Sequence, residues 1–355
     1  MQLTKVLFSQ TVSQARVLPT KTKVSLAYQL HMPNKTVNPN LAIRSHEPIV
    51  FLHGIFGSKN NYKDYCQTIA NTTHTPVYAL DFRNHGESEH CFPLINYQTL
   101  SQDVVDFCEE HDLKKVSLVG YSLGAKVGLL TMLKHPELVS SGVIIGNSPA
   151  KTPQVKVYLK VFLKAMTELI NSAHIKASDK NWRSKANAVL RKFIPDGNIV
   201  QYLLRNVINR NSSHIPGHTD LITVRMPLKH FDKKVVDEIA DWPEEEVKGL
   251  KFEGPVKVIK GAKSAFIDQD GLRAYKEHFP NFTMATLNTD HLIFAEMPLR
   301  VTKIICDFFK LTRYQTLQMH TRDGENHIVQ KLRTETEKEF DLKFENKQSE
   351  VRAQL

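Results

Sequence analysis

The sequence predicts an α/β protein, a mostly parallel sheet with helices on both faces and an inserted helical cap. Three observations carry that prediction. Short apolar runs at 48–53, 76–81, 115–119, 142–145 and 256–260 alternate with helix-length segments, as strands buried on both faces do. Gly120-Tyr121-Ser122-Leu123-Gly124 directly follows the run at 115–119 and precedes a helix-like stretch that closes at His135-Pro136, which puts G-x-S-x-G in a strand, turn and helix context. From 151 to about 248 the alternation gives way to long amphipathic repeats, such as Val155, Leu159, Phe162 and Leu163, then Ile199, Tyr202, Leu203 and Val207.

The elements follow in chain order. The first 46 residues contain no Asp or Glu, and Lys5, Arg16, Lys21 and Lys23 stand among Ser, Thr, Gln and apolar residues. That is transit-peptide chemistry, and it predicts a mitochondrial presequence over 1–20, an ordinary basic terminus being the alternative. Lys23-Val24-Ser25-Leu26-Ala27-Tyr28 reads as the first strand of a core whose first part runs from 21 to 150. Thr99-Leu100-Ser101-Gln102 has capping-box letters, and Leu100, Val104, Phe107 and Cys108 recur behind it at helical spacing. The cap, 151–248, would lie over the serine and dry the pocket. The core resumes over 249–314, with a strand-like run Phe282–Leu287 and a last helix after Pro298 that aligns Val301, Ile304, Ile305, Phe308 and Phe309. The tail, 315–355, is charged, mixed in sign and poor in aromatics.

Composition narrows the function. A net charge of +10 could suit nucleic acid, but no aromatic-and-basic motif accompanies it; the surplus gathers in the first 45 residues and between Lys151 and Arg210. No run approaches the roughly 18 apolar residues of a membrane span. Cys66, Cys91, Cys108 and Cys306 show no metal spacing and read as reduced structural thiols.

The chemistry centres on Ser122. A serine at the apex of so sharp a turn stands exposed above a sheet, and the flanking glycines avoid collisions that side chains would cause. Its hydroxyl is a poor nucleophile without a base, and an imidazole has a suitable pKa. Of the 16 histidines, His291 follows a strand-like run near the chain's end, where this arrangement places its base. His53 and His85 sit in turns and would pin loops, while His90, His111, His135 and His327 read as solvated. Pro48–Gly57 is a buried-type strand ending in a His-Gly turn. Such a turn supplies one oxyanion N–H, here Ile55, and the residue after the nucleophile, Leu123, the other.

Taken together, HGIFGSKNNY (53–62), DFRNHGES (81–88), GYSLGAK (120–126), KSAFI (263–267) and DHLIFAEMP (290–298) resemble a subgroup of α/β-hydrolases that contains small esterases, mitochondrial hydrolases and the yeast ethanol acetyltransferases. The likeness spans about residues 22 to 312 and is greatest to the acetyltransferases. It implies the α/β-hydrolase fold, Ser122 as nucleophile, His291 as base, and acetyl transfer from acetyl-CoA to ethanol with thioesterase and esterase side reactions. No cofactor is implied beyond that acyl donor, and the partners are a small acyl donor and an alcohol or water.

The acid does not carry over. The family's D-N-A-P segment corresponds to Gly146-Asn147-Ser148-Pro149, so glycine stands at the aspartate's place, and the family's G-H-W corresponds to Asp290-His291-Leu292. Asp268 and Asp270 are alternatives, with a plain role as acidic caps of a helix. Asn147 could hold the ring without charge, and Asp290 should point away from it. The sequence therefore supports a slow serine acyltransferase, with a plain carboxylesterase or thioesterase, or a binding protein that has lost the chemistry, as alternatives.

Overall fold

The computed structural model describes residues 19–34, 47–92, 95–208 and 220–320, with side chains as far as 312. Among these, the main sheet has seven strands: β1 (Tyr28–His31), β2 (Ile49–Leu52), β3 (Val77–Leu80), β4 (Val116–Tyr121), β5 (Val139–Ile145), β8 (Val256–Gly261) and β9 (Phe282–Leu287). Their spatial order is β1-β3-β2-β4-β5-β8-β9. Only β1 runs antiparallel to its neighbour. Every residue of β2 and β4 is buried, as continuous apolar runs in a doubly covered parallel sheet require.

Side-chain alternation divides the core between the two faces. Ile49 and Phe51 of β2 pack with α1 (Lys63–Thr73) and α11 (Pro298–His320), whereas Val50 and Leu52 pack with α2 (Tyr97–Glu110) and α3 (Leu123–Lys134). α3 is buried from Leu123 through Leu133, because the sheet lies on one side of it and the cap on the other. A helix covered all round has no use for a polar face, so Lys126 is the charged exception among its buried residues. Its ammonium donates to the Asp241 carbonyl at 3.1 Å and lies 5.2 Å from the centre of the Tyr97 ring. Burial brings its pKa down to about 7.

The cap comprises α4 (Val155–Asn171), α5 (Trp182–Arg191), α6 (Gly197–Leu204), α7 (Lys233–Ala240) and α8 (Glu244–Val247). It also holds a small antiparallel pair, β6 (Val207–Ile208) with β7 (Thr223–Val224), which the helical periodicity did not foretell. Leu159, Met166, Leu190, Leu203 and Trp242 of the cap share one apolar cluster with Val50, Leu118 and Leu129 of the core, so cap and core fold as a single packed body.

Several local expectations are corrected. The first strand is Tyr28–His31 rather than 23–28, because only from Tyr28 onward does the chain run in register with Val77–Leu80. The segment before it is packed all the same: Val24 and Leu26 are buried, and Lys21 N–H donates to Phe92 O. Pro19, inside the expected presequence, is held as well: its carbonyl accepts from Phe92 N–H. α2 starts two residues before Thr99, because the Asn96 side chain accepts from Thr99 N–H at 2.7 Å and caps it. α11 continues to His320, past the expected boundary at 314. His90, His111 and His135 are half-buried rather than solvated; the His111 ring lies 4.3 Å from that of Phe107. His327, residues 1–18 of the expected presequence and the tail from 321 lie outside the described residues. No described helix is long and apolar enough to cross a membrane, and no metal-type cluster of His, Cys, Asp or Glu occurs among the described residues.

Candidate active site

Ser122 joins β4 to α3 with φ 54° and ψ −107°, a left-handed-side conformation that is strained for any residue with a Cβ. The neighbouring glycines are forced by close approach. A Cβ on Gly120 would lie 2.3 Å from Gly124 O, and one on Gly124 would lie 2.3 Å from Leu52 O. The elbow is anchored by Ser122 N–H donating to Ile145 O at 2.9 Å.

Across the sheet's carboxyl edge, His291 arrives on the loop between β9 and α10 (Ile293–Glu296) with its Nε2 2.9 Å from Ser122 Oγ, hydrogen-bond distance for proton transfer. Three contacts hold this imidazole. Phe266 stacks on it with ring centres 3.8 Å apart and planes 18° apart. Tyr121 lies nearly parallel at 5.7 Å, and its hydroxyl donates to His291 O at 2.9 Å. Sequence reasoning missed both aromatic roles, since stacking carries no spacing signal; Phe266 was visible only as a letter of KSAFI.

The other ring nitrogen, Nδ1, is shut off from solvent and has no hydrogen-bond partner among the described residues. Burial in this apolar sandwich pulls the His291 pKa down to about 4, with no charged group opposing it. A carboxylate at Nδ1 would do the reverse.

The structure takes each alternative acid elsewhere. Asp268 caps α9 (Gln269–His278), accepting from Gly271 N–H at 2.9 Å, and Asp270 pairs with Arg273 at the surface. Asp290 accepts from the backbone N–H of His291 at 2.7 Å, turned from the ring as expected of a neighbour on an extended segment. Asn147 donates to Ser122 O at 3.2 Å and accepts from Ser148 N–H at 3.0 Å, so it braces the elbow without touching the imidazole. The buried carboxylate Asp81 is occupied by Lys59 N–H at 2.6 Å and Glu87 N–H at 2.9 Å. What faces Nδ1 is Gly146 itself, at φ +73°, where a Cβ would lie 3.5 Å from that nitrogen and 3.4 Å from Cε1.

Ile55 and Leu123, whose N–H groups are expected to face an oxyanion, belong to two abutting loops. A Cβ on Gly54 would come within 3.3 Å of Ser122 Cβ, so the His53–Gly57 turn rests directly on the elbow. Among the described residues neither Ile55 N–H nor Leu123 N–H is spent on a hydrogen bond. His53 fixes this turn from beneath: its Nε2 accepts from Phe82 N–H at 3.1 Å and its Nδ1 donates to Gly54 O at 2.8 Å. The cap fixes it from above, through Tyr202 hydroxyl donating to Ile55 O at 2.9 Å and Asn206 donating to Phe56 O. Tyr202 was legible only as one apolar position of an amphipathic repeat.

A strained serine bonded to an imidazole, with two free N–H groups beside it, is suited to acyl transfer through a covalent ester. Comparison with known proteins points the same way. Residues 47–298 match the family model described as alpha/beta hydrolase fold. The chain is 77% identical over 334 residues to a Cyberlindnera jadinii protein named "Probable alcohol acetyltransferase", covering 94% of each. It is 52% identical over 350 residues to "Ethanol acetyltransferase 1" of Wickerhamomyces anomalus, covering 97% of this chain and 89% of that one. Among solved structures, a marine microorganism esterase superposes with a TM-score of 0.65 at 22% identity, over 80% of this chain and 99% of its own, a likeness of fold alone.

Proposed function

The chain belongs to the α/β-hydrolase family, among the yeast alcohol and ethanol acetyltransferases, and from that premise we propose that it makes ethyl acetate from ethanol and acetyl-CoA through an acetyl-Ser122 ester. The observation that carries this reading is the 2.9 Å contact between His291 Nε2 and Ser122 Oγ on a strained elbow, inside a sequence 77% identical to a protein named for alcohol acetyl transfer.

The proposed reaction has two halves. Neutral His291 takes the Ser122 proton as Oγ attacks the thioester carbonyl, and the oxyanion is received by Ile55 and Leu123 N–H. Collapse breaks the C–S bond, and the imidazolium returns its proton to the departing coenzyme A thiolate. His291 then deprotonates ethanol as its oxygen attacks the acetyl-serine, and the second collapse releases ethyl acetate and restores Ser122. Water in place of ethanol gives acetate, which makes thioesterase and esterase turnover the side reactions. In both halves the imidazolium forms without a carboxylate beside it, so turnover should be slow.

Incubating the protein with acetyl-CoA, with and without ethanol, while following free thiol and ethyl acetate tests the proposal. Thiol release with ester formed only when ethanol is present is the expected result. Thiol release with no ester at any ethanol concentration would make it a thioesterase. The alternative of a binding protein is favoured by the unpartnered Nδ1, and neither thiol nor ester would leave it standing. The acid-free basic leader supports a mitochondrial address; a tagged full-length chain should fractionate with mitochondria and one lacking residues 1–20 should not.

A further inference from the structure

From the way α4 crosses the mouth of the site, we propose that its outer face is the binding site for the coenzyme A portion of the donor, with Lys160 and Lys164 receiving its phosphates. This rests on the reading of the chain as an acetyl-CoA-dependent enzyme and adds where the nucleotide end of that substrate is held.

α4 is placed over both halves of the site. Tyr158 lies 5.9 Å, ring centre to ring centre, from Phe266, the ring stacked on His291. One turn on, Phe162 lies 6.2 Å from Phe56, the residue after Ile55. While its inner face buries Val155, Leu159 and Met166, its outer face leaves Val157 66%, Tyr158 45% and Val161 37% exposed. Apolar exposure of this kind on a helix that already has a buried stripe asks for an occupant.

The same face is basic. Lys160 and Lys164 are exposed one turn apart, two and six residues beyond Tyr158, or roughly 3 and 9 Å along the axis at 1.5 Å per residue. Neither is within ion-pair distance of an acid among the described residues, whereas Lys156 is tied to Asp237 at 2.6 Å. Glu168, a turn past Lys164, ends the basic stretch. The first part of the cap is basic as well: between 151 and 210 there are twelve Lys or Arg against three Asp or Glu.

Coenzyme A matches this arrangement in order. Its thioester must reach Ser122, its pantetheine arm, in which methylene and gem-dimethyl groups alternate with two amides, then passes over Tyr158, Val157 and Val161, and its phosphates arrive where the two ammonium groups stand. Ammonium groups act on phosphate as point charges, and a like-signed surface around them raises the rate of encounter with an anion.

The experiment compares the native chain with Lys160→Glu/Lys164→Glu on two acetyl donors, acetyl-CoA and the uncharged p-nitrophenyl acetate. The ratio of kcat/KM for acetyl-CoA to that for the nitrophenyl ester should fall about tenfold in the variant, through KM, and the difference should shrink at about 0.5 M salt. Calorimetric binding of coenzyme A itself to both proteins supplies a second readout that needs no turnover. An unchanged ratio, or equal coenzyme A affinity in the two proteins, overturns the assignment. A native chain that hydrolyses the nitrophenyl ester but releases no thiol from acetyl-CoA would sink the acetyltransferase reading. Calorimetry then still decides this one, since a native chain that fails to bind coenzyme A removes the site as well.

Discussion

Gly146→Asp raises kcat by as much as about 10⁴-fold with little change in KM, that being the loss on neutralising the triad acid of a serine protease. A Cβ at residue 146 lies 3.5 Å from His291 Nδ1, a buried ring nitrogen that has no hydrogen-bond partner among the described residues. The new carboxylate stabilises the imidazolium, which exists only once Ser122 has given up its proton, so the gain falls on the chemical step.

The pH profile carries an independent signature. In the native chain the base is half protonated at about 4, so kcat/KM should hold down to that region. In the Asp variant the acid limb should move up toward the ordinary imidazole range near 6.5. The same burial affects native stability. With a folded pKa of about 4 against 6.5 unfolded, the unfolded chain takes up this proton first as pH falls. Stability should therefore drop between about 6.5 and 4 on account of this residue. Gly146→Asn separates charge from shape, because Asn and Asp both tolerate the φ of +73° better than other residues with a Cβ. A well-folded Asp variant no faster than the native chain, or an Asn variant equally fast, would refute the missing-acid account.

Ser122→Ala abolishes covalent labelling by a fluorophosphonate, yet its effect on kcat should depend on what stands at 146. In a complete protease triad, removing the serine alone costs about 2 × 10⁶ in kcat and removing the acid alone about 3 × 10⁴, so serine and histidine without the acid retain roughly 10². Ser122→Ala should accordingly cost about 10²-fold in the native chain but about 10⁶-fold in the Gly146→Asp background. This non-additivity distinguishes a dyad working without its acid from a complete triad whose acid lies elsewhere. In the latter case the large loss would appear in the native chain already. Full activity in Ser122→Ala would move the nucleophile to another residue.

The parts of this protein that were legible in the sequence depend on local backbone constraints. The parallel sheet could be read because strands buried on both faces must be short, mostly apolar runs, as Ile49–Leu52 is and Val116–Tyr121 is apart from Ser117. The elbow could be read because its close backbone contacts admit only glycine at 120 and 124. The absence of an acid at 146 could be read because that position follows directly on β5. Tertiary structure alone decided whether another acid takes its place. Asp268 and Asp270 were alternative acids, and Asn147 an uncharged holder of the ring, until their partners were fixed by a helix start, a surface pair and the elbow's own carbonyl. It also decided that Phe266 and Tyr121 stack on the His291 ring, that Tyr202 and Asn206 tie the cap to the His53–Gly57 turn, and that α4 reaches both Phe266 and Phe56. Tyr202 stands 147 residues from the carbonyl it holds. No local pattern records such a contact, because it is fixed by how the cap's apolar face packs on the core and not by the spacing of its residues.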